Sequence, residues 1–283
     1  MASQPGRDPT NIQVLPPELL AIVFGYLDSN RQSNQSLKDK NWLLMTLPSV
    51  CKQWCGACKL VPVDIALDAD TITDAGLRSL VGRFPLARDI AFSGDGWPDY
   101  RPVDHDYHGL GAELTCDGLL AMAGWQNVRT LDLTGVSYVT DDVLSAIATA
   151  LPQAEHLAIA VNKYVYDEWL GEGYGLMTMV TDAGLKAVGE NTSLRSIFLS
   201  GCHKVTDAGL RDLAAGCPGL REVTLRRLPR VTDEGIMALA VGCPDLRRLA
   251  VYHPFRVKAI TAAGVTAVAE HLGRDVRDFV FDS

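Results

Sequence analysis

Val205-Thr206-Asp207-Ala208-Gly209-Leu210 and, one period later, Val231-Thr232-Asp233-Glu234-Gly235-Ile236 are two copies of one phrase, and their spacing decides the architecture. Thr206 and Thr232 lie 26 positions apart, as do Cys217-Pro218 and Cys243-Pro244. A fixed period between about 20 and 50 residues marks a solenoid. Each unit of such a fold buries its apolar face only against its neighbours. The repeat therefore predicts an elongated binding surface before it predicts any chemistry.

Within each unit the pattern changes period. Short alternating stretches at Val63-Ile65-Leu67, Ile90-Phe92, Leu131-Leu133, Leu157-Ile159, Ile197-Leu199, Val223-Leu225, Leu249-Val251 and Phe279-Phe281 read as strands. After most of them a Thr-Asp pair opens a helix: Thr73-Asp74, Thr140-Asp141, Thr181-Asp182, Thr206-Asp207 and Thr232-Asp233. Both residue types suit a helix N-cap, because their oxygens accept bonds from the open amides of the first turn. Recurring once per unit, these aspartates read as caps rather than as catalytic carboxylates. Leu210, Leu213, Ala214 and Cys217 fall on one helical stripe, as do Ile236, Leu239, Ala240 and Cys243. That stripe faces the strands of its own solenoid.

The compound phrase, Thr-Asp-x-Gly-Leu and then Cys-Pro-x-Leu-x-x-Leu-x-Leu, resembles the leucine-rich repeat of the cysteine-containing subtype. It is kept best from Cys217-Pro218 to Leu225 and from Cys243-Pro244 to Leu249, and more loosely at Phe84-Pro85 and Leu151-Pro152. The resemblance spans residues 61–283. It implies an α/β leucine-rich-repeat solenoid, a horseshoe with a parallel sheet on the concave side and helices outside.

Ahead of the repeats, residues 1–11 read as a flexible polar tail and residues 12–60 as a small all-α domain. Pro16 and Pro17 suit a helix start, where proline's missing donor is not needed. Leu15, Leu19, Leu20, Val23 and Leu27, with Val50 and Trp54, offer more apolar surface than so short a module buries alone. Leu15-Pro16-Pro17-Glu18-Leu19-Leu20, together with Val50-Cys51-Lys52-Gln53-Trp54, resembles an F-box, with a polar stretch at 29–40 that makes its middle longer than usual. The resemblance implies that Leu15, Pro16, Leu19, Leu20, Val23, Leu27, Val50 and Trp54 dock on a Skp-type adaptor. Through that adaptor they would join a cullin–RING ubiquitin ligase. Read without the resemblance, the same helices cap the first repeat, since solenoid ends need caps.

Two units are longer than their neighbours. Phe92 to Leu133 is 41 positions and Ile159 to Leu199 is 40, against 25 or 26 elsewhere. The extra residues fall near 94–112 and 162–179, each after a strand. Insertions at matching positions project from one edge of a solenoid, often the binding edge. Both are rich in aromatics, with Trp97 and Tyr107 in the first and Tyr166 and Trp169 in the second. Such side chains supply contact area at low entropic cost. They serve equally as packing that covers the horseshoe.

The late repeats concentrate cations at Arg221, Arg226, Arg227, Arg230, Arg247 and Arg248. Alternation along a strand puts Arg226 on the concave face, with Arg248 and Tyr252 beside it one repeat later. A guanidinium grips carboxylate or phosphate in a fork, so this group suits an acidic peptide; a solvated face is the alternative.

Other constellations carry little. Cys51, Cys55 and Cys58 lie at helical spacing and read as buried small thiols rather than cluster ligands. Cys217 and Cys243 occupy equivalent slots, so they stack as a ladder rather than bind zinc. His105-Asp106-Tyr107-His108 lacks a third convergent ligand. No phosphate loop or nucleophile elbow occurs, so no catalysis, cofactor or metal is expected. The chain ends on a strand near 276–281 with no polar cap, an edge that invites pairing or a longer natural chain.

With 283 residues, 47% hydrophobic, 21% charged and a net charge of -8, the composition is globular and disfavours a general nucleic-acid binder. Seven cysteines without a disulfide-like framework, and no secretory or membrane-spanning segment, suggest the cytoplasm or nucleus. The expected function is target recognition for a Skp-cullin-F-box ligase, with no nucleic acid or membrane among its partners. An interaction scaffold with a helical cap is the alternative.

Overall fold

The structure is a computed structural model that describes residues 64–68, 72–93, 115–134, 136, 139–160, 179–190, 193–252, 260–275 and 279–282. The helical domain expected over 12–60, the insertion near 94–112, and all of the insertion near 162–179 except Met179 lie outside these residues.

Eight strands form one parallel sheet in chain order: β1 (Asp64–Asp68), β2 (Asp89–Ser93), β3 (Thr130–Asp132), β4 (His156–Ala160), β5 (Ser196–Ser200), β6 (Glu222–Arg226), β7 (Arg248–Tyr252) and β8 (Phe279–Asp282). Residues 276–278 of the expected last strand lie outside the described residues. Helices return the chain from one strand to the next: α1 (Asp74–Arg83), α2 (Cys116–Leu120), α3 (Asp141–Ala150), α4 (Asp182–Gly189), α5 (Asp207–Gly216), α6 (Asp233–Gly242) and α7 (Ala262–His271). Sequential parallel pairing with a crossover helix at every step is what a single repeated strand–helix unit must produce.

The core lies between the layers. The second and fourth residues of the strands, such as Ile197 and Leu199, Val223 and Leu225, or Leu249 and Val251, are buried and stack in register. Against them lie the helix stripes Leu210, Leu213, Ala214 and Ile236, Leu239, Ala240. Each stripe residue needs the next unit to complete its cover, so the apolar core runs unbroken along the solenoid.

A second line of contact runs along the helix N-termini, and here the structure revises the sequence reading. The threonine alone is the cap: Thr206 Oγ1 accepts from the amide of Ala208 at 3.2 Å, and Thr232 Oγ1 from that of Glu234 at 3.2 Å. The aspartate does not cap its own helix but binds the next unit. Asp182 accepts the Thr206 amide at 2.7 Å and the Thr206 hydroxyl at 2.6 Å; Asp207 does the same for Thr232, both at 2.7 Å. Asp141 holds Thr181, Asp233 holds Thr261 and Asp74 holds Thr115 in the same way. Thr181, Thr206, Thr232 and Thr261 thus each donate backward to one helix and accept from their own. The carboxylate also sits at a helix N-terminus, where negative charge is favoured.

The motif's glycine follows from the same contact. A methyl group built on Gly184, Gly209, Gly235 or Gly264 overlaps Oδ1 of Asp141, Asp182, Asp207 or Asp233. The carboxylate occupies the space where that Cβ would be. Thr-Asp-x-Gly is therefore a rung written across two units: the aspartate of one requires the threonine and the glycine of the next.

The third unit departs from this rule. Its threonine, Thr115, is followed by Cys116 rather than aspartate, and the next unit carries Val143 in the glycine slot. Cys116 Sγ lies 4.0 Å from Thr140 Oγ1, and Val143 is fully buried. Thr115 makes no side-chain cap to α2, which has five residues and tightens into a 3-10 turn at Ala121–Gly124. β3 has three residues and pairs over three positions on each side, where β4–β5 and β5–β6 pair over five. One unit thus has both a weaker strand and a substituted rung.

Hydrogen bonds to Thr115, first its hydroxyl and then its amide, hold the Asp74 carboxyl below its ordinary value of 3.8. That contribution is present above the unfolded value and is lost as pH falls through the folded one. A double-mutant cycle tests the rung. Asp207→Ala is expected to cost about 2–3 kcal/mol, since two bonds to a charged acceptor are lost. Gly235→Ala should cost a similar amount by displacing the carboxylate, but little more in the Asp207→Ala background, as read from urea midpoints. Additive losses would contradict the rung.

Candidate protein-interaction face

Alternation turns the first, third and fifth residues of β4 to β7 away from the helices. On β6 these are Glu222, Thr224 and Arg226, and on β7 Arg248, Ala250 and Tyr252. Sequence alternation places Arg226, Arg248 and Tyr252 side by side, and the register divides them. Arg226 pairs with Tyr252, whereas Arg248 pairs with Glu222 at the other end of the strands. Four residues of strand, about 13 Å, separate the two arginines along the face. On its other side Arg226 is in register with the buried Ser200. Trp97, Tyr107, Tyr166 and Trp169 lie outside the described residues, as do the adaptor-docking residues Leu15, Pro16, Leu19, Leu20, Val23, Leu27, Val50 and Trp54.

The face is segregated by charge. Asp64 and Asp89 are in register at its first edge, and Asp132 follows on β3, where its Oδ1 accepts the Thr134 amide at 2.8 Å. The middle carries His156, Ala158 and Ala160 on β4 and Ser196, Phe198 and Ser200 on β5, and beyond them Arg226 and Arg248 are joined by Glu222.

Sequence reading missed two features of this face. The first is Arg227, which holds φ 56° directly after β6, a conformation that glycine takes at the matching position, Gly201, with φ 72°. The backbone is shaped by the ladder: the Gly201 amide donates to Arg226 O at 2.9 Å and the Arg227 amide to Tyr252 O at 3.0 Å. The second is the residue just before each strand. Its carbonyl accepts two amides from the next unit, as Arg195 O does from Arg221 at 2.7 Å and Glu222 at 3.0 Å. That residue is Arg88, Arg129, Glu155, Arg195 and Arg221 in successive units, and Arg247 holds the same position before β7. The recurring Leu-Arg of Leu194-Arg195, Leu220-Arg221 and Leu246-Arg247 was the available signal.

The buried thiols are structural. Burial, and secondarily the neighbouring Cys243, pushes Cys217 up to about 12; burial pushes Cys243 up to about 11. Both therefore stay protonated and donate. Cys217 Sγ reaches Val188 O at 3.7 Å, and Cys243 Sγ reaches Cys217 O at 3.4 Å, a ladder along the helix C-termini. Among the described residues no group of three metal-ligating side chains converges. No helix among them is long and apolar enough to cross a membrane. The gap between α3 and α4 is lined by aliphatic groups such as Leu131, Ile147, Leu157 and Val188, with no acid or base to do chemistry.

No protein-family model and no curated protein matches the chain. Among solved structures it is similar to the actin-binding site 2 of leiomodin-1, at 16% identity, TM-score 0.40, over 56% of this chain and 87% of that one. It is also similar to the leucine-rich repeat-containing protein LegL7 of Legionella pneumophila, at 11% identity, TM-score 0.38, over 80% of this chain and 78% of that one. A third likeness is to the yeast Rad7 and Elc1 complex, at 14% identity, TM-score 0.29, over 90% of this chain and 85% of that one. The class rests on the chain's own geometry: parallel strands, one helix per unit and stacked leucine positions make a leucine-rich-repeat solenoid.

Arg227 offers a test of backbone strain. A left-handed residue other than glycine costs about 1 kcal/mol. Arg227→Gly is expected to match or exceed the parent in thermal stability, by up to about 1 kcal/mol. A clear loss would show that the arginine side chain outweighs its backbone.

Proposed function

We propose that the chain is the substrate-recognition adaptor of a Skp-cullin-F-box type ubiquitin ligase, working in the cytoplasm or nucleus. The repeats hold a target protein, and the segment at 12–60 tethers it to the ligase core. Catalysis then belongs to the ligase, and tethering raises the effective concentration of target lysines. The observation that supports target binding is the sheet face opposite the helices, with Asp64 and Asp89 in register at one edge and Arg226 and Arg248 toward the other. The tether is carried by the Leu15-Pro16 and Val50-to-Trp54 phrases alone. Target contacts fall to Arg226 with Tyr252, to Arg248, and to Trp97, Tyr107, Tyr166 and Trp169. The solenoid serves equally as a scaffold whose N-terminal helices only cap the first unit.

A pull-down with a purified Skp-type adaptor separates the two. The adaptor reading expects capture by the full chain, lost in Leu19→Asp and in Leu20→Asp while thermal unfolding stays cooperative. A folded chain that ignores the adaptor leaves the scaffold.

A further inference from the structure

The residues that precede β2 to β7 form a row of five arginines broken once by Glu155. We propose that this row is a docking strip for an extended acidic segment of a protein partner. The inference rests on the repeats being a protein-binding face and is independent of the ubiquitin reading.

Three observations carry it. The first is register. The carbonyls of Arg88, Arg129, Glu155, Arg195 and Arg221 each accept two amides from the following unit, at 2.7 to 3.1 Å, so the row is locked one strand apart along the sheet's N-terminal edge. Neighbouring strands lie about 4.8 Å apart, which crowds like charges in a chain of net charge -8. Solvated splaying relieves part of that repulsion; a line of anions relieves more of it.

The second is Glu155, which shows how a carboxylate sits in the row. Arg129 Nη1 reaches its Oε1 at 3.2 Å, and Arg195 Nε lies 3.7 Å from its Oε2. One carboxylate thus engages the arginine on each side, while both guanidinium side chains remain about half exposed, at 55% and 45%.

The third is the open stretch beyond. Arg195, Arg221 and Arg247 follow without interruption, and Arg248 adjoins them. No carboxylate among the described residues lies within ion-pair distance of Arg221, Arg247 or Arg248, although Glu222 is in register with Arg248.

Geometry and charge favour a peptide over a nucleic acid. Up to Arg221 the strip is one cation wide, and Asp89 and Glu222 stand at the next position along the chain after Arg88 and Arg221. A phosphate backbone would meet those carboxylates, and the acidic chain repels a polyanion at long range. A peptide can align a single line of acidic side chains and keep neutral residues over Asp89 and Glu222. From β2 to β7 the strip spans about 24 Å, the reach of roughly seven extended residues.

Fluorescence anisotropy with the full chain and a labelled Glu/Asp-rich peptide of about eight residues tests the strip. Binding should weaken with salt and fall about tenfold in the Arg195→Gln, Arg221→Gln, Arg247→Gln triple variant. Glu155→Gln, which releases Arg129 and Arg195, should tighten it, and this variant decides the matter if the triple one unfolds. Arg211→Gln, exposed on α5 in the helix layer, should leave it unchanged. No binding by the parent chain, equal binding by all variants, or tighter binding of single-stranded DNA of matching length overturns the proposal. Adaptor capture plays no part in the readout, so either idea can fail alone.

Discussion

One hydrogen-bonded rung fixes how each unit meets the next: an aspartate at a helix start takes the amide and hydroxyl of the following threonine. Apolar stacking supplies the larger energy, yet it is non-directional and tolerates sliding. The rung does not slide. Two short bonds to one carboxylate, with a glycine cleared to admit it, set rotation and offset between units. The thiols of Cys217 and Cys243 give the opposite ends of the helices a weaker counterpart. Between these two lines the helices close-pack: a methyl built on Gly216 would overlap the carbonyl of Gly189.

Fixed offset is what turns a repeated sequence into a surface. When every unit sits in the same register, any residue type that recurs once per unit becomes a row. Leucine at the second and fourth strand positions becomes the core, and arginine just before the strand becomes a cationic edge. The same rule pulls apart residues that seem neighbours, which is why Arg248 faces Glu222 and not Arg226. The third unit relaxes the constraint. With Cys116 and Val143 in place of aspartate and glycine, and a three-residue strand, it is the joint where the solenoid is least tightly specified.

Much of this fold was legible because its causes are local. Strand alternation and threonine caps act within a dozen residues, and the 26-residue period shows as a repeated phrase, so reading along the chain finds them. The role of aspartate was hidden because its partner lies in the next unit, 24 to 41 residues away. The helices at Cys116 and Ala262 escaped notice for the same reason, since neither threonine is followed by the aspartate that marks the others. Of the candidate site, the parity of Arg226, Arg248 and Tyr252 could be read, because alternation is local. Their register could not, because it depends on how two strands pair. The glycine and the aspartate, read together across two units, were a signal that single-unit reading could not use.

The central claim is that Thr-Asp-x-Gly is one device spread over two units, and the broken rung tests it most directly. Cys116→Asp alone sets a carboxylate against the Val143 side chain, and Val143→Gly alone removes buried apolar surface, so each should destabilise. Measured by denaturant unfolding, the double variant should be more stable than the sum of the single effects by more than about 1 kcal/mol, because the rung is then restored. Simple additivity would mean that aspartate and glycine are independent local preferences and that packing alone sets the register.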